Sequence, residues 1–169
     1  VLRIGGVVLA LIVVSGAIVA GYYKLRNHLM RECMAERLDV PAERLYHLGN
    51  LWQVSNEAGQ VAVSIVTEQN NDVTYVEFKD TCAESFLKRE DGCAEEAELV
   101  ATGRKLIARY WAEDLRSISH QRTSTCGGGG CMEVAYESSA TARFYMLHFA
   151  KQTCQITVIK CSELPFPES

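Results

Sequence analysis

An α+β fold is predicted: a long N-terminal membrane-spanning helix, then a globular head in which an antiparallel sheet is packed by helices and stapled by disulfides. Three observations predict it. No charge interrupts the residues from Ile4 to Tyr23; the hydrophobic period then alternates between 3.6 and 2 along residues 39–169; and six of the seven cysteines fall in that second part.

The 20 consecutive uncharged, mostly apolar residues from Ile4 to Tyr23 form, as a helix, a rod of about 30 Å, the thickness of bilayer hydrocarbon. The run is longer than the apolar region of a secretory signal and no small-x-small site follows it, so it is expected to stay on the chain. Small residues recur at helical spacing: Gly6 and Ala10, Gly16 and Ala20, Ala17 and Gly21, with Gly5 beside them. In lipid such faces let backbones approach closely, and this is the predicted helix-packing surface. Neither Pro nor Gly interrupts LRNHLMRECMAERL, so the helix is expected to continue as a stalk to about Leu38, with Leu25, Leu29 and Cys33 as a narrow apolar stripe. Residues 1–38 are thus transmembrane and stalk helix, and residues 39–169 the head.

In the head, Asp39 followed by VPAERLYHLGNLWQVSNEAG predicts a second helix, with Asp39 as N-cap, Leu45, Leu48, Leu51, Trp52 and Ser55 on one side, and Gly59 as its end. VAVSIVTEQ and DVTYVEFKD alternate around QNND and predict a β-hairpin in which Val61, Val63 and Ile65 face Val76 and Phe78. A further helix is expected over AEEAELVATGRKLIARYWAEDLRSI, burying Leu99, Gly103, Leu106, Ile107, Tyr110 and Leu115. Three strands complete the head: CMEVAYE with Met132, Val134 and Tyr136 inward, then RFYMLHF and CQITVIK joined through AKQT.

Charge is divided unevenly. Residues 1–31 carry Arg3, Lys24, Arg26 and Arg31 and no acid, so the remainder sets 17 − 4 = 13 bases against 21 acids, a net of −8. An acidic head without a basic stripe excludes nucleic acid as a partner.

Cys82, Cys93, Cys126, Cys131, Cys154 and Cys161 are the disulfide candidates, an even set behind a hydrophobic segment. Connectivity stays open, except that Cys154 and Cys161 on one strand would stand roughly 23 Å apart and cannot pair. Cys82 with Cys93 is the expected local loop, leaving Cys126 or Cys131 to reach the last strands. TSTCGGGGC lacks the Lys-Ser or Lys-Thr of a phosphate loop and the Cys-x-x-Cys of a redox pair. As a metal site Cys126 and Cys131 need two further ligands; His120 is near, but the spacing of the set matches no zinc pattern, so the stretch reads as a flexible stapled turn. His28, His47, His120 and His148 are scattered over different predicted elements, with His148 sharing the strand phase of Phe144 and Met146 as a partly buried structural group. No nucleophile elbow or Cys-His signature appears, and the sequence predicts no catalysis, metal or cofactor.

The apolar helix running into an amphipathic half, followed by an α+β head with cysteines toward its end, resembles the type IV pilin family and its pseudopilin relatives. VTYVEFKDTCAESFL and TCGGGGCMEVAYESS are similar to type IVb pilin heads, in which a strand runs into a cysteine-bearing helix and a second cysteine precedes a late strand. Position 5 departs from the family, carrying Gly5 where a glutamate is usual, with Arg3 nearby. The resemblance implies a non-catalytic filament subunit, with residues 1 to about 35 forming the packed helical core and the acidic head facing solvent; self-association or contact with neighbouring membrane subunits is expected through residues 1–38. The alternative is a single-pass accessory subunit of a larger membrane complex, docking neighbouring subunits. Lys24, Arg26 and Arg31 after the span favour a cytoplasmic head, whereas the cysteines favour an oxidising compartment. The cysteines are given the greater weight, placing the head at a cell surface or in a periplasm, or alternatively in the mitochondrial intermembrane space.

Overall fold

The computed structural model describes residues 2–68, 72–90, 92–126 and 128–166, with side chains from Val13 onward. The expected QNND turn, residues 69–72, lies outside these residues except for Asp72.

Leu2–Leu38 is one unbroken helix, α1, as the absence of Pro and the continuing apolar spacing require. Its end is set by local hydrogen bonding. Asp39 adopts the left-handed conformation (φ 54°), its N–H donates to Glu36 O at 3.2 Å, and Val40 N–H donates to Ala35 O at 3.0 Å. That pair of bonds is a Schellman ending, in which Asp39 takes the position glycine usually holds and Val40 folds back onto the core. Asp39 therefore closes the first helix and does not cap a second.

The predicted helix after Asp39 is not formed. A 3-10 turn at Ala42–Arg44 leads into strands β1 (Leu45–Leu48) and β2 (Leu51–Ser55), which pair antiparallel with Leu48 opposite Leu51. Gly49 at φ 64° opens the two-residue loop, the glycine position of a type II′ hairpin turn. The leucines that suggested a helical face separate accordingly: Leu45 is fully buried and Leu48 is 79% exposed. Period two is the operative repeat, carried inward by Leu45, Trp52 and Val54.

Strands β3 (Val61–Thr67) and β4 (Val73–Phe78) form the expected hairpin, with Val63 opposite Phe78 and Ile65 opposite Val76. Two-residue strands β5 (Lys88–Arg89) and β6 (Gly92–Cys93) then precede helix α2 (Glu96–Trp111). Leu99, Gly103, Leu106, Ile107 and Tyr110 are buried as expected. The helix ends earlier than expected, at Ala112 in the left-handed conformation, so Leu115 lies beyond it and is 42% exposed. Ile118–Thr125 is strand β7, which the sequence did not predict, followed by β8 (Cys131–Ser138), β9 (Arg143–Ala150) and β10 (Gln155–Ser162).

The eight longer strands make one antiparallel sheet in the order β1-β2-β3-β4-β10-β9-β8-β7. Two four-stranded meanders meet at β4 and β10, and α2 carries the chain across one face from the first meander to the far edge. On that face Trp52, Ile65, Val76, Ile159, Leu147 and Val134 stand opposite one another across six strands, each with 0% exposure. Both helices cover this row. α1 contributes Met30, Met34, Ala35 and Leu38, while α2 contributes Leu99, Leu106, Ile107 and Tyr110. The stalk face that packs is thus next to the Leu25, Leu29, Cys33 stripe, whose leucines are 56% and 58% exposed and whose thiol is free and exposed.

The disulfides are Cys93–Cys154 and Cys126–Cys131. The expected Cys82–Cys93 pair is replaced because Leu87 N–H donates to Cys154 O and Ala94 N–H to Leu87 O, bringing Cys93 beside the β9–β10 turn at a Cα separation of 5.1 Å. Cys82 faces the core as a free thiol and Cys161 is half-buried and free. Cys126 and Cys131 pair across the glycine turn between β7 and β8, so neither reaches the last strands.

Candidate functional site

Every residue from Val13 to Leu29 is exposed. Val13, Ile18 and Tyr22 retain 63%, 67% and 62% of their surface, so this part of α1 is left largely uncovered by the other described residues. Each such side chain forgoes about 1.5–3 kcal/mol of burial. Together they make an uncovered apolar surface of the kind that marks an interaction site.

Of the small residues singled out, Gly16 and Ala20 share one flank of this segment and Ala17 and Gly21 the next, all exposed. A Cβ added at Gly16 or Gly21 meets nothing within 4 Å. Gly5, Gly6 and Ala10 lie outside the residues whose side chains are described. Among the described residues no helix is long and apolar enough to cross a membrane; the first nine residues of the uncharged run from Ile4 precede the described side chains. Beyond the apolar part, Tyr22 and Tyr23 meet edge to face at 6.0 Å, and Lys24 and Arg26 follow in an exposed collar.

Two arginines fix this rod to the head. Arg37, in the last turn of α1, donates from Nη2 to Tyr110 O at 2.7 Å, and Arg109, in the last turn of α2, donates from Nε and Nη2 to Leu38 O at 2.8 and 2.5 Å. Each helix thus has a terminal carbonyl satisfied by a cation from the other, where two negative dipole ends converge. Arg109 also binds Glu84 at 2.6 Å, and Tyr110 Oη donates to the same carboxylate at 2.9 Å. A cleft of about 770 Å³ opens where α1 leaves the sheet, between Tyr23, Arg26 and Met30 on the helix and His47, Asn50 and Asp72 on the strand ends.

Elsewhere the buried polar groups act as pins. Glu113 accepts from Thr141 Oγ1 at 2.6 Å, Tyr145 Oη at 2.7 Å and Ser138 Oγ at 2.8 Å, tying the end of α2 to the β8–β9 turn. Burial works to raise its pKa, but the three hydroxyls and the Arg143 charge outweigh that and hold the carboxyl below its usual range. Burial pushes the Cys161 thiol up to about 11, and burial with Glu84 raises Cys82. Neither buried thiol is poised as a nucleophile.

The histidines do not converge. His47 stacks on Trp52 at 3.9 Å, His120 bonds Thr123, and His28 stands 3.8 Å from Glu32 on the stalk. His148 is half-buried as expected, with Nδ1 3.4 Å from Glu133. That last pairing is not readable along the chain, because it depends on the β8–β9 register, which sets Glu133 opposite His148. No family model, curated protein or solved structure matches the chain.

Proposed function

We propose that the chain is a non-catalytic structural subunit that assembles through its N-terminal apolar helix, as a pilin-like filament subunit with the helices at the core and the acidic head outside. The observation that carries the reading is the division of α1. Its end, residues 30–38, packs on the head and is pinned by Arg37 and Arg109, and the segment from Val13 to Leu29 is exposed throughout. A helix held rigidly at one end and apolar at the other suits burial between copies of itself. The 20 uncharged residues from Ile4 to Tyr23 make the bilayer its environment before assembly. Two disulfides agree with a head in an oxidising compartment.

Gly5 in place of the glutamate usual in pilins favours a second reading, a single-pass accessory subunit packed against different membrane subunits. Gentle detergent extraction followed by negative-stain imaging and mass analysis separates the two. Homopolymeric fibres support the filament, a discrete complex containing other chains supports the accessory subunit, and a dispersed monomer refutes both.

A further inference from the structure

On the sheet face turned away from the helices, three strands bring together a set of donors that the sequence scatters. Cys126 Sγ, a Glu133 carboxylate oxygen and a His148 ring nitrogen all lie within 4.8 Å of one another, and Cys131 Sγ is bonded to Cys126. Glu133 is on β8, His148 opposite it on β9, Cys126 directly follows β7 and Cys131 begins β8. All four residues are half-buried. Ser124, the β7 partner of Glu133, has a hydroxyl shut off from solvent with no hydrogen-bond partner among the described residues.

We propose that reduction of the Cys126–Cys131 disulfide converts this cluster into a tetrahedral Zn²⁺ site with Cys126, Cys131, Glu133 and His148 as ligands. Two thiolates, an imidazole and a carboxylate form the mixed sulfur, nitrogen and oxygen set that zinc accepts, and four residues between the cysteines is a spacing zinc pairs use. Three atoms mutually within 4.8 Å leave a point no further than 4.8/√3, about 2.8 Å, from each, so bonds of about 2.0–2.3 Å require each ligand to move by less than about 1 Å. The sulfurs must separate to about 3.8 Å, the edge of a tetrahedron with Zn–S near 2.3 Å. The glycine turn permits this: Gly128 and Gly129 have φ of 91° and 75°, and a run without Cβ atoms can reopen at little steric cost.

The chemistry balances with a dithiol as reductant. It delivers two electrons and two protons to the Cys126–Cys131 bond, giving two thiols, and leaves as its own disulfide. Zn²⁺ then displaces both thiol protons to solvent as the sulfurs bind. The oxidised chain cannot hold the ion this way, because the bonded sulfurs are not thiolates. The site lies in the head and is independent of how α1 assembles.

The test uses the full chain in detergent, reduced with a dithiol, freed of reductant under anaerobic conditions and titrated with Zn²⁺ alone, and separately with Co²⁺ as a spectroscopic stand-in. One zinc per chain is expected, with a thiolate-to-cobalt charge-transfer band, and no such site before reduction. His148→Ala and Glu133→Gln, each confirmed folded by circular dichroism, are expected to weaken zinc by at least the roughly 10- to 100-fold that loss of an outer hydrogen-bond partner already costs. Zinc bound with undiminished affinity by both variants, or by a Cys126→Ser/Cys131→Ser chain that keeps the other thiols, overturns the assignment. So does a reduced wild-type chain that gives no charge-transfer band.

Discussion

Gly103 decides how closely α2 can approach the sheet. A Cβ there would overlap the Tyr136 hydroxyl, itself donating to Val100 O at 3.1 Å, and would stand 2.8 Å from Leu147 Cδ1. Gly103→Ala should therefore destabilise the fold by about 2–3 kcal/mol despite alanine's better helix propensity, an overpacking cost read by urea denaturation. Unchanged or increased stability would mean that the helix has room to retreat. Helical spacing marked Gly103 as inward-facing, but its contact with Tyr136 depends on a neighbour 33 positions later. Glu113 was invisible for the same reason, since its three hydroxyl partners come from two strands and the turn between them, far along the chain. Its folded pKa is depressed, so it contributes stability above the carboxylate's unfolded pKa that is lost as pH falls through the folded value. Glu113→Gln should lower stability at pH 7 by about 1–3 kcal/mol. Denaturation curves between pH 6 and pH 3, on the order of the carboxylate range, should show a smaller acid loss in the variant than in the wild type; parallel losses would contradict this role.

At the scale of elements, what was legible was whatever had a strong period and a clear terminus. α1, α2, the β3–β4 hairpin and strands β8 to β10 follow from 3.6- or 2-residue repeats, though α2 stops at an Ala112 left-handed turn that has no glycine to announce it. The region from Leu45 to Ser55 was misread because LYHLGNLWQVS satisfies both periods, and Gly49 in a two-residue turn decided for the hairpin. Strand β7 escaped notice because ISHQRTST carries one large apolar residue, Ile118, and lies at the sheet edge where only its first residue is buried. The reciprocal arginine caps were equally unreadable, being set by where two helix ends happen to meet. They carry the mechanical claim that α1 is rigid on the head. Arg109→Ala removes the bonds to Leu38 O and the ion pair with Glu84, and should cost about 2–3 kcal/mol. Hydrogen exchange should accelerate specifically over Met34–Val40, and uniform acceleration across the head would contradict the assignment.

For the molecule as a whole, two four-stranded meanders are closed into one sheet, covered on one face by α2 and the end of α1. Charge follows the same division: the four cations up to Arg31 gather on the protruding rod, and the acidic excess lies on the head. The sequence conveyed this polarity and the mixed fold class. It left the disulfide partners open, because cysteine pairing depends on how the turns between β5 and β6 and between β9 and β10 are brought together. It also left hidden the cysteine, glutamate and histidine cluster, which needs three strands in exact register. We propose that the exposed segment of α1 is where copies of the chain meet. A photo-crosslinking amino acid at Ile18, 67% exposed, tests it most directly in membranes or mild detergent. Adducts at twice the chain mass are expected, mapping residue 18 of one copy to the apolar helix of another and diminished by Gly16→Leu. Crosslinks confined to lipid or to other proteins, or adducts indifferent to Gly16→Leu, would contradict it.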